Sequence, residues 1–283
     1  MENNRHNTGV IVVKAGSDVL VKEDNTLDVQ VIDERIAEIV QLMREGSQVI
    51  LVTSGAKAKG MKALGISSID KDDKVLTQVA CAVGQARIMR AYEEALVKAM
   101  TDEDRARGRL WVPGQLLLTR NELATPDAAM SVRNVLERMW QTGKVLPIIN
   151  ANDPISDEEL QNTFSDNDEL TNRVAKLVHA WIVVLLSSVH GLQRDIHDPT
   201  TVVARIHPLL EDLRHFIVEK NSNNGKGGMK SKYDVSEDLA LQGIDVHLGF
   251  GKAMDAIQRL IRGEIGTLFS IKGNDNQDEI LPT

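Results

Sequence analysis

Short apolar runs rich in valine and isoleucine recur along the chain, and longer amphipathic stretches separate them. A run that is apolar at every position is typical of a strand buried on both faces, as in a parallel sheet. The runs predict strands over residues 10–13, 49–52, 116–118, 145–149, 182–186 and 244–248.

The stretches between these runs carry apolar residues at helical spacing. In residues 31–43 they form a one-sided stripe, and Gly46 follows as a stop signal. Strands that alternate with helices predict an open α/β sandwich, whose ligands bind where the strands end. The other helices are predicted over residues 75–100, 128–141, 170–179, 232–242 and 253–261.

Two polar segments are expected to be loops. Residues 101–109 are strongly charged and are interpreted as a solvated surface connection. Residues 219–228 are rich in Asn, Ser, Lys and Gly, which is typical of a mobile loop that closes over a nucleotide.

The composition excludes several classes of protein. A formal charge of −8 and a pI of about 5.4 argue against an extended nucleic-acid surface, which needs an excess of lysine and arginine. A single cysteine, Cys81, excludes an internal disulfide framework and a cysteine-rich zinc site, and we expect it to be buried. Residues 1–8 lack an apolar signal region, and the apolar stretch 181–186 is too short to cross a bilayer. We therefore expect a cytoplasmic protein without a membrane or nucleic-acid partner.

Candidate ligand-binding residues follow the first two predicted strands. Lys14 ends the first strand and precedes Gly16 and Ser17, where backbone amides could face a phosphate. The Lys14 ammonium is suited to neutralise charge on a transferred phosphoryl group. Ser54 ends the second strand in a turn of small residues that lets a ligand approach the backbone. A surface lysine and a tight strand-to-helix turn explain the same residues without a ligand.

Amides and a carboxylate follow the fourth predicted strand. Asp153 is suited to pair with the ammonium of an α-amino acid, and Asn150 and Asn152 are suited to meet its carboxylate. An ordinary Asn/Asp turn fits this segment equally well.

The tripeptide Asp166-Asn167-Asp168 precedes a predicted helix, so one of its members is expected to be the helix N-cap. Three such residues exceed what capping requires. We therefore interpret Asp168 as a residue that orders catalytic lysines, and Asn167 as a substrate ligand.

A glycine-rich segment supplies further candidates. It reads Gly225-Lys226-Gly227-Gly228-Met229-Lys230-Ser231-Lys232, and it is not a P-loop because methionine stands at position 229 and no strand directly precedes it. Lys232 opens a helix and is suited to meet the β- and γ-phosphates of a nucleotide, with Lys226 and Lys230 as rivals. The seven histidines show no metal-ligand spacing, so each is interpreted as a packed or surface residue.

Five motifs occur in one order over nearly the whole chain. They are Lys14-x-Gly16-Ser17, Thr53-Ser54-Gly55-Ala56, Ile149-Asn150-x-Asn152-Asp153, Phe164-x-Asp166-Asn167-Asp168 and Gly225-x-Gly227-Gly228-Met229-x-x-Lys232. Shorter matches include Ala82-Val83-Gly84-Gln85-Ala86-Arg87. Together these segments closely resemble the amino acid kinase family, in its short form without a C-terminal PUA domain.

The resemblance implies a three-layer αβα sandwich around a mainly parallel sheet of about eight strands. It implies a single domain over residues 9–270, with tails at 1–8 and 271–283. The implied reaction is phosphorylation of the γ-carboxylate of L-glutamate by ATP with Mg²⁺, the first step of proline biosynthesis. The implied protein is a homodimer or homotetramer, with proline as a possible feedback inhibitor.

The resemblance also implies roles for individual residues, by matched position. Lys14 and Lys232 would stabilise the transition state, and Asp168 would orient them. Glutamate would be held by Ser54, Asp153 and Asn167, and no residue is implied as a metal ligand. The implied nucleotide-binding residues are Gly16, Ser17, Ser187, Ser188, Gly227, Gly228, Met229 and Lys232.

The chain departs from the family pattern after the fifth predicted strand. The family usually has Thr-Asp followed by Ile/Val-Asp-Gly-Leu-Tyr, whereas this chain has Ser187, Ser188 and His190 at the corresponding positions, so two carboxylates are missing. Two further hypotheses therefore stay open. One is a kinase of the same family with a different amino acid or carboxylate acceptor, and the other is a catalytically silent, ligand-binding regulatory homologue. The retention of both lysines and Asp168 argues against the silent homologue.

Overall fold

The computed structural model describes residues 9–70, 72–156, 164, 166–195, 198–217 and 228–273. Within these residues the strands are β1 (Val10–Ala15), β2 (Gln48–Val52), β3 (Val112–Leu118), β4 (Val145–Ala151), β5 (Ile182–Ser187), β6 (Arg205–Ile206), β7 (Asp245–Phe250) and β8 (Thr267–Phe269). They form one eight-stranded sheet in the order β3-β4-β2-β1-β5-β7-β8-β6. Every neighbouring pair is parallel except β7 and β8. The predicted mainly parallel sheet is confirmed.

Helices cover both faces of this sheet. In the described ranges they are α1 (Ser17–Leu20), α2 (Val29–Arg44), α3 (Ala56–Leu64), α4 (Lys74–Ala99), α5 (Asp102–Ala106), α6 (Pro126–Gln141), α7 (Asn167–Leu177), α8 (Met229–Ala240) and α9 (Ala256–Ile261). Short 3₁₀ helices lie at Asn121–Leu123, Asp153–Ile155, Pro199–Thr201 and Arg214–Phe216.

Alternate residues of each strand enter two separate hydrophobic cores, because successive side chains of a strand point to opposite faces. Val13 joins the core that α2, α4 and α9 cover, whereas Val12 joins the core that α6, α7 and α8 cover. Two cores, one on each side of a single sheet, confirm the three-layer αβα architecture.

The strand order reverses direction next to β1. From β1 the chain first adds β2 on one side and later adds β5 on the other. At such a switch point the connections leave the two neighbouring strands in opposite directions, and a crevice opens beyond their carboxyl ends. Gly16 and Ser17 follow β1 and Ser188 follows β5, so these residues lie at the carboxyl ends of the two strands beside the switch point.

Residues 101–109 are mostly exposed, as expected for a solvated connection, but they are not a simple loop. They contain helix α5, which begins with a capping box formed by Thr101 and Asp104. Asp104 is 2% exposed, and its carboxylate lies 2.5 Å from the Arg44 guanidinium. Hydrogen bonding to Arg44 lowers the pKa of the Asp104 carboxyl far below its usual range. The charge in this segment therefore stabilises the structure rather than only facing solvent.

Two further predictions concern the end of helix α2 and the burial of Cys81. Helix α2 ends at Arg44, and Gly46 follows with a φ of 96°, which confirms the predicted stop. Cys81 is buried, as expected. No helix in the described part of the chain combines the length and the apolar composition that a membrane span needs.

Helices α3 and α4 cross at very short range. A Cβ atom added to Gly84 of α4 would lie 1.8 Å from the carbonyl oxygen of Ala56, and one added to Gly60 of α3 would lie 1.7 Å from that of Ala80. No side chain fits at either position without moving backbone. The glycines thus hold α3, which follows Ser54, against α4.

We expect Gly84→Ala to lower the free energy of unfolding by about 3 kcal/mol, because the new methyl group must displace the backbone of α3. Urea denaturation monitored by circular dichroism measures the change. Ala86→Ser on the exposed side of α4 is the control, with an expected change within about 0.5 kcal/mol. A loss below about 1 kcal/mol for Gly84→Ala would show that the two helices separate easily.

Candidate active site

Two lysines and one aspartate form a buried cluster at the carboxyl edge of the sheet. The ammonium nitrogen of Lys14 lies 2.7 Å from Oδ1 of Asp168, and that of Lys232 lies 3.0 Å from Oδ2 of the same carboxylate. Lys14 is 5% exposed, Lys232 6% and Asp168 1%. The structure therefore brings together the three residues that the sequence marked as catalytic, although they lie far apart along the chain.

The strand period explains why Lys14 reaches this position. Lys14 lies two residues after Val12, so its side chain leaves β1 on the face that α7 and α8 cover. Asp168 is in the first turn of α7, and Lys232 is in the first turn of α8. The end of β1 and the first turns of α7 and α8 thus meet at the Asp168 carboxylate.

Lys14 and Asp168 hold each other in the charged state. Burial alone would lower the pKa of Lys14, but the Asp168 carboxylate, aided by Asp18 and Asp166, raises it. Burial alone would raise the pKa of Asp168, but the ammonium groups of Lys14 and Lys232 lower it. A buried ion pair needs such close partners to offset the desolvation of its charges. Lys14 and Asp168 are therefore both ionised at neutral pH.

Asp166 joins the two helices that carry the cluster. It is the N-cap of α7, where its carboxylate accepts hydrogen bonds from the backbone N–H groups of Asp168 and Glu169, each at 2.9 Å. Its other oxygen accepts a hydrogen bond of 2.6 Å from the hydroxyl of Ser231 in α8. This confirms that one member of the tripeptide is the N-cap, and α7 begins at Asn167, earlier than predicted.

The turn after β1 passes close to the Lys14 ammonium. A Cβ atom on Gly16 would lie 3.2 Å from Nζ of Lys14 and 2.5 Å from Oδ1 of Asp18. Oδ2 of Asp18 accepts a hydrogen bond of 3.1 Å from the backbone N–H of Ser188, which links the turns after β1 and β5. Sequence reasoning missed Asp18, although its place in the same turn as Gly16 was an available signal. The structure thus has a carboxylate next to Ser188, where the chain departs from the family pattern.

The beginning of α8 is a further candidate for anion binding through its backbone. Its N-cap is Gly228, which has no side chain, so this residue does not compete with an anion for the first N–H groups of the helix. The side chain of Met229 is partly buried and packs against a hydrophobic core. Lys230 is exposed, in contrast to Lys232. Residues 225–227, which include Lys226 and Gly227, lie outside the described residues.

The residues predicted to hold the substrate border the same site. The hydroxyls of Ser54 and Ser17 are 2.7 Å apart, which brings a predicted substrate residue against a predicted nucleotide residue. Asn167 donates from Nδ2 to the backbone carbonyl of Thr53 at 2.8 Å. Asp153 is partly buried at the carboxyl end of β4, where it begins the 3₁₀ helix Asp153–Ile155. At the end of β5, Ser187 is buried and Ser188 is exposed.

The interpretation of Asn150 as a direct ligand of a carboxylate is wrong. Asn150 is 2% exposed. Its Nδ2 donates to Gln85, and its Oδ1 accepts from the backbone of Ala151 and from Asn167. Both ends of this amide are engaged within the protein. Asn150 therefore supports other residues of the site rather than meeting a ligand itself.

Comparison with known proteins shows the family of this chain. The sequence pattern of the amino acid kinase family matches residues 9–249. The chain is 35% identical to a glutamate 5-kinase of Symbiobacterium thermophilum, over 93% of this chain and 96% of that protein. The chain belongs to the amino acid kinase family. A glutamate 5-kinase of Kosmotoga olearia is 34% identical over 93% of this amino acid kinase and 69% of its own length.

Solved structures of other proteins share the fold of this amino acid kinase. The carbamate kinase of Giardia lamblia bound to AMP-PNP aligns with a TM-score of 0.61 at 16% identity, covering 94% of this chain and 100% of that chain. UMP kinase from Bacillus anthracis aligns with a TM-score of 0.57 at 12% identity, covering 94% and 97%. At these identities the likeness concerns the fold alone.

The donor set also bears on Mg²⁺. Among the residues that the structure describes, no group of three or more His, Cys, Asp or Glu could hold a metal ion. Mg²⁺ commonly keeps several waters and phosphate oxygens and takes only one or two carboxylates from the protein. Asp18 and Asp166, which both act on the Lys14 ammonium, fit such a cation if it arrives bound to phosphate.

Proposed function

We propose that this chain transfers the γ-phosphoryl group of ATP to the γ-carboxylate of L-glutamate, and that residues 9–270 form the single domain that does so. The observation that carries the proposal is the pair of buried lysines on one carboxylate at the switch point of the sheet. Relatives named glutamate 5-kinase, which align with more than nine tenths of the chain, support glutamate as the acceptor.

On the phosphate side, Lys14 and Lys232 would neutralise charge that develops on the transferred group. Phosphoryl transfer demands little covalent chemistry from a protein, and positioning and electrostatics supply most of the catalysis. Asp168 would hold both ammonium groups at fixed positions before the substrates arrive. The backbone at Gly16, which passes close to the Lys14 ammonium, and the N–H groups at the start of α8 would receive phosphate oxygens. When bound, Mg²⁺ would supply further neutralisation of the phosphates.

On the acceptor side, Ser54, Asp153 and Asn167 would hold glutamate. A γ-carboxylate oxygen would form a bond to the γ-phosphorus while the bond from that phosphorus to the ADP oxygen breaks. The products are L-glutamyl 5-phosphate and ADP. The contact between Ser17 and Ser54 supports this arrangement, because it joins the turn assigned to phosphate with the turn assigned to the acceptor.

A hydroxamate assay tests the reaction. Acyl phosphates react with hydroxylamine, so the purified protein is incubated with ATP, Mg²⁺ and L-glutamate, L-aspartate, N-acetyl-L-glutamate or no acceptor. We expect a signal that needs ATP and is selective for L-glutamate. A signal with another acceptor would replace glutamate in the proposal. Silence with every acceptor, from a folded protein that still binds glutamate or ATP, would favour the regulatory homologue.

Asp153→Ala is expected to raise the KM for L-glutamate about tenfold or more and to leave the KM for ATP nearly unchanged. The reason is the loss of a charge-assisted contact to the acceptor. Steady-state kinetics with each substrate varied in turn measure both constants. Asp102→Ala, at a fully exposed aspartate of α5, is the control. A change in the KM for ATP alone would mean that Asp153 belongs to the nucleotide side.

Three further parts of the proposal remain predictions. Competition by proline against glutamate is measured in the same assay, and a homodimer or homotetramer is measured by light scattering after size exclusion. The cytoplasmic location is checked by fractionating cells that express the chain.

A further inference from the structure

Three side-chain amides, two of them buried, connect the inner end of the site to helix α4. Nδ2 of Asn150 donates to Oε1 of Gln85 at 2.9 Å, and Nδ2 of Asn167 donates to Oδ1 of Asn150 at 3.0 Å. Gln85 is 6% exposed and Asn150 2%. We refer to Gln85, Asn150 and Asn167 as the amide relay. It starts in α4 and ends at a residue assigned to the substrate.

Hydrogen bonds to backbone groups fix the orientation of the Asn150 and Asn167 amides, and Asn150 in turn fixes that of Gln85. The N–H of Ala151 donates to Oδ1 of Asn150 at 2.9 Å, so that atom has to be an oxygen and the opposite atom has to be the nitrogen. The carbonyl oxygen of Thr53 accepts from Asn167 at 2.8 Å, so the atom facing it has to be the nitrogen. With Asn150 assigned, the atom of Gln85 that meets it has to be Oε1.

Within the described part of the chain, the relay leaves one side-chain atom of Asn167 for a ligand. Both hydrogens of its Nδ2 are used, one by Thr53 and one by Asn150. Its Oδ1 is the atom left for a ligand, and an amide oxygen accepts hydrogen bonds but cannot donate them. Asn167 is partly exposed, so a ligand can reach it. This atom suits the ammonium of an α-amino acid rather than its carboxylate.

Gln85 is the end of the relay that no backbone group fixes directly. Its Nε2 is buried and has no hydrogen-bond partner among the described residues, so its engaged atom is Oε1. Without Oε1 of Gln85, the buried Nδ2 of Asn150 would lose its hydrogen-bond acceptor. Asn150 could then regain a partner only by turning, which would withdraw Oδ1 from Asn167.

We propose that Gln85 is a positioning residue for substrate selection: through Asn150 it fixes Asn167 so that a carbonyl oxygen faces the α-ammonium of the acceptor. The inference rests on the proposed function, because it concerns the amino acid that this site would phosphorylate. Gln85 would thereby help the site to select an α-amino acid over the same diacid without an amino group.

The test compares L-glutamate with glutarate, which has both carboxylates but no ammonium. In Gln85→Met, which keeps the side-chain length and removes the oxygen, we expect kcat/KM for L-glutamate to fall about tenfold, as for one lost hydrogen bond. The value for glutarate and the KM for ATP should stay within about twofold, so the preference for glutamate falls about tenfold. Gln85→Glu restores an acceptor oxygen and should recover most of the preference. Gln41→Met, at an exposed glutamine of α2, is the matched control.

Two results would overturn the inference. One is an equal loss for L-glutamate and glutarate in Gln85→Met, which is what a purely structural role predicts. The other is a wild-type protein that uses both acceptors equally well.

Thermal-shift measurements with each diacid separate this inference from the proposed function, because they need no turnover. A wild-type protein that forms no acyl phosphate, yet is stabilised more by L-glutamate than by glutarate, would refute the reaction. Loss of that difference in folded Gln85→Met would still support the role of Gln85, and persistence of the difference would refute it.

Discussion

Lys232→Ala is expected to lower kcat by roughly 10²-fold or more, with little change in the KM for glutamate. A preorganised donor aimed at charge that develops in the transition state commonly contributes this much. The fold should survive, because Asp168 keeps Lys14 at 2.7 Å as its partner when Lys232 is removed. The hydroxamate assay at saturating ATP and L-glutamate measures kcat, and circular dichroism with a thermal scan checks the fold.

Lys230→Ala is the matched control for this variant. Lys230 lies two residues earlier in α8 and is exposed, so its loss should change kcat by less than about threefold. An unchanged rate in folded Lys232→Ala would move the catalytic role to Lys226 or Lys230. A large loss in both variants would mean that the whole start of α8 contacts the nucleotide.

Asp168→Asn is expected to lower the free energy of unfolding by about 3 kcal/mol or more and to abolish most activity. The ammonium groups of Lys14 and Lys232, which are almost completely buried, would then contact only a neutral amide. Leaving a buried charge without its partner costs about 3 kcal/mol or more. Chemical denaturation at neutral pH measures the loss. In the triple variant Lys14→Met, Asp168→Asn and Lys232→Met the buried charges are gone, so stability should return while activity does not. A triple variant less stable than Asp168→Asn alone would contradict this explanation.

The same carboxylate sets the pH dependence of stability. Its pKa is lower in the folded protein than in the unfolded chain, so its contribution is present above about pH 4 and is lost as pH falls through the folded value. The pKa of Lys14 is raised, so its contribution is present below about pH 10 and is lost only as pH rises through the folded value. The stability difference between wild type and Asp168→Asn should therefore be constant from about pH 6 to 9 and shrink in acid.

The sequence predicted the longer elements of the fold because each has a strong periodic signal. The strands near the middle of the sheet are apolar throughout, and helix α2 has a clear apolar stripe. Strands β6 and β8 were not predicted, since two and three residues are too few to show a period. Helix α3 was missed because its lysines and a glycine that contacts the backbone of α4 obscure any apolar stripe.

Helix α5 is a different kind of miss. The pattern Thr101-x-x-Asp104 is the sequence form of a capping box and was visible, but the surrounding charges favoured a solvated loop. What the sequence did not reveal is that Asp104 meets Arg44, sixty residues earlier in the chain. A contact at that separation depends on how α2 and α4 pack.

The charged residues of the site could be predicted from their places at strand ends and helix starts. The contacts that support the site could not. Lys14 and Asp168 stand at positions where a parallel sheet gathers ligand-binding residues. The pairing of Asn150 with Gln85 depends on the side chains of a strand and a helix whose packing distance no local pattern encodes. Sequence reasoning therefore identified candidate ligands but assigned Asn150 to the substrate when it supports Asn167.

The double role of Asp166 affects how motion in this protein can be observed. One of its oxygens caps α7 and the other holds Ser231 of α8. Any displacement of α8 away from α7 must break a bond to the group that protects the first turn of α7. Fraying of that turn and separation of the two helices are therefore coupled. Hydrogen exchange at the amides of Asp168 and Glu169 consequently reports on movement of α8, a helix to which neither amide belongs.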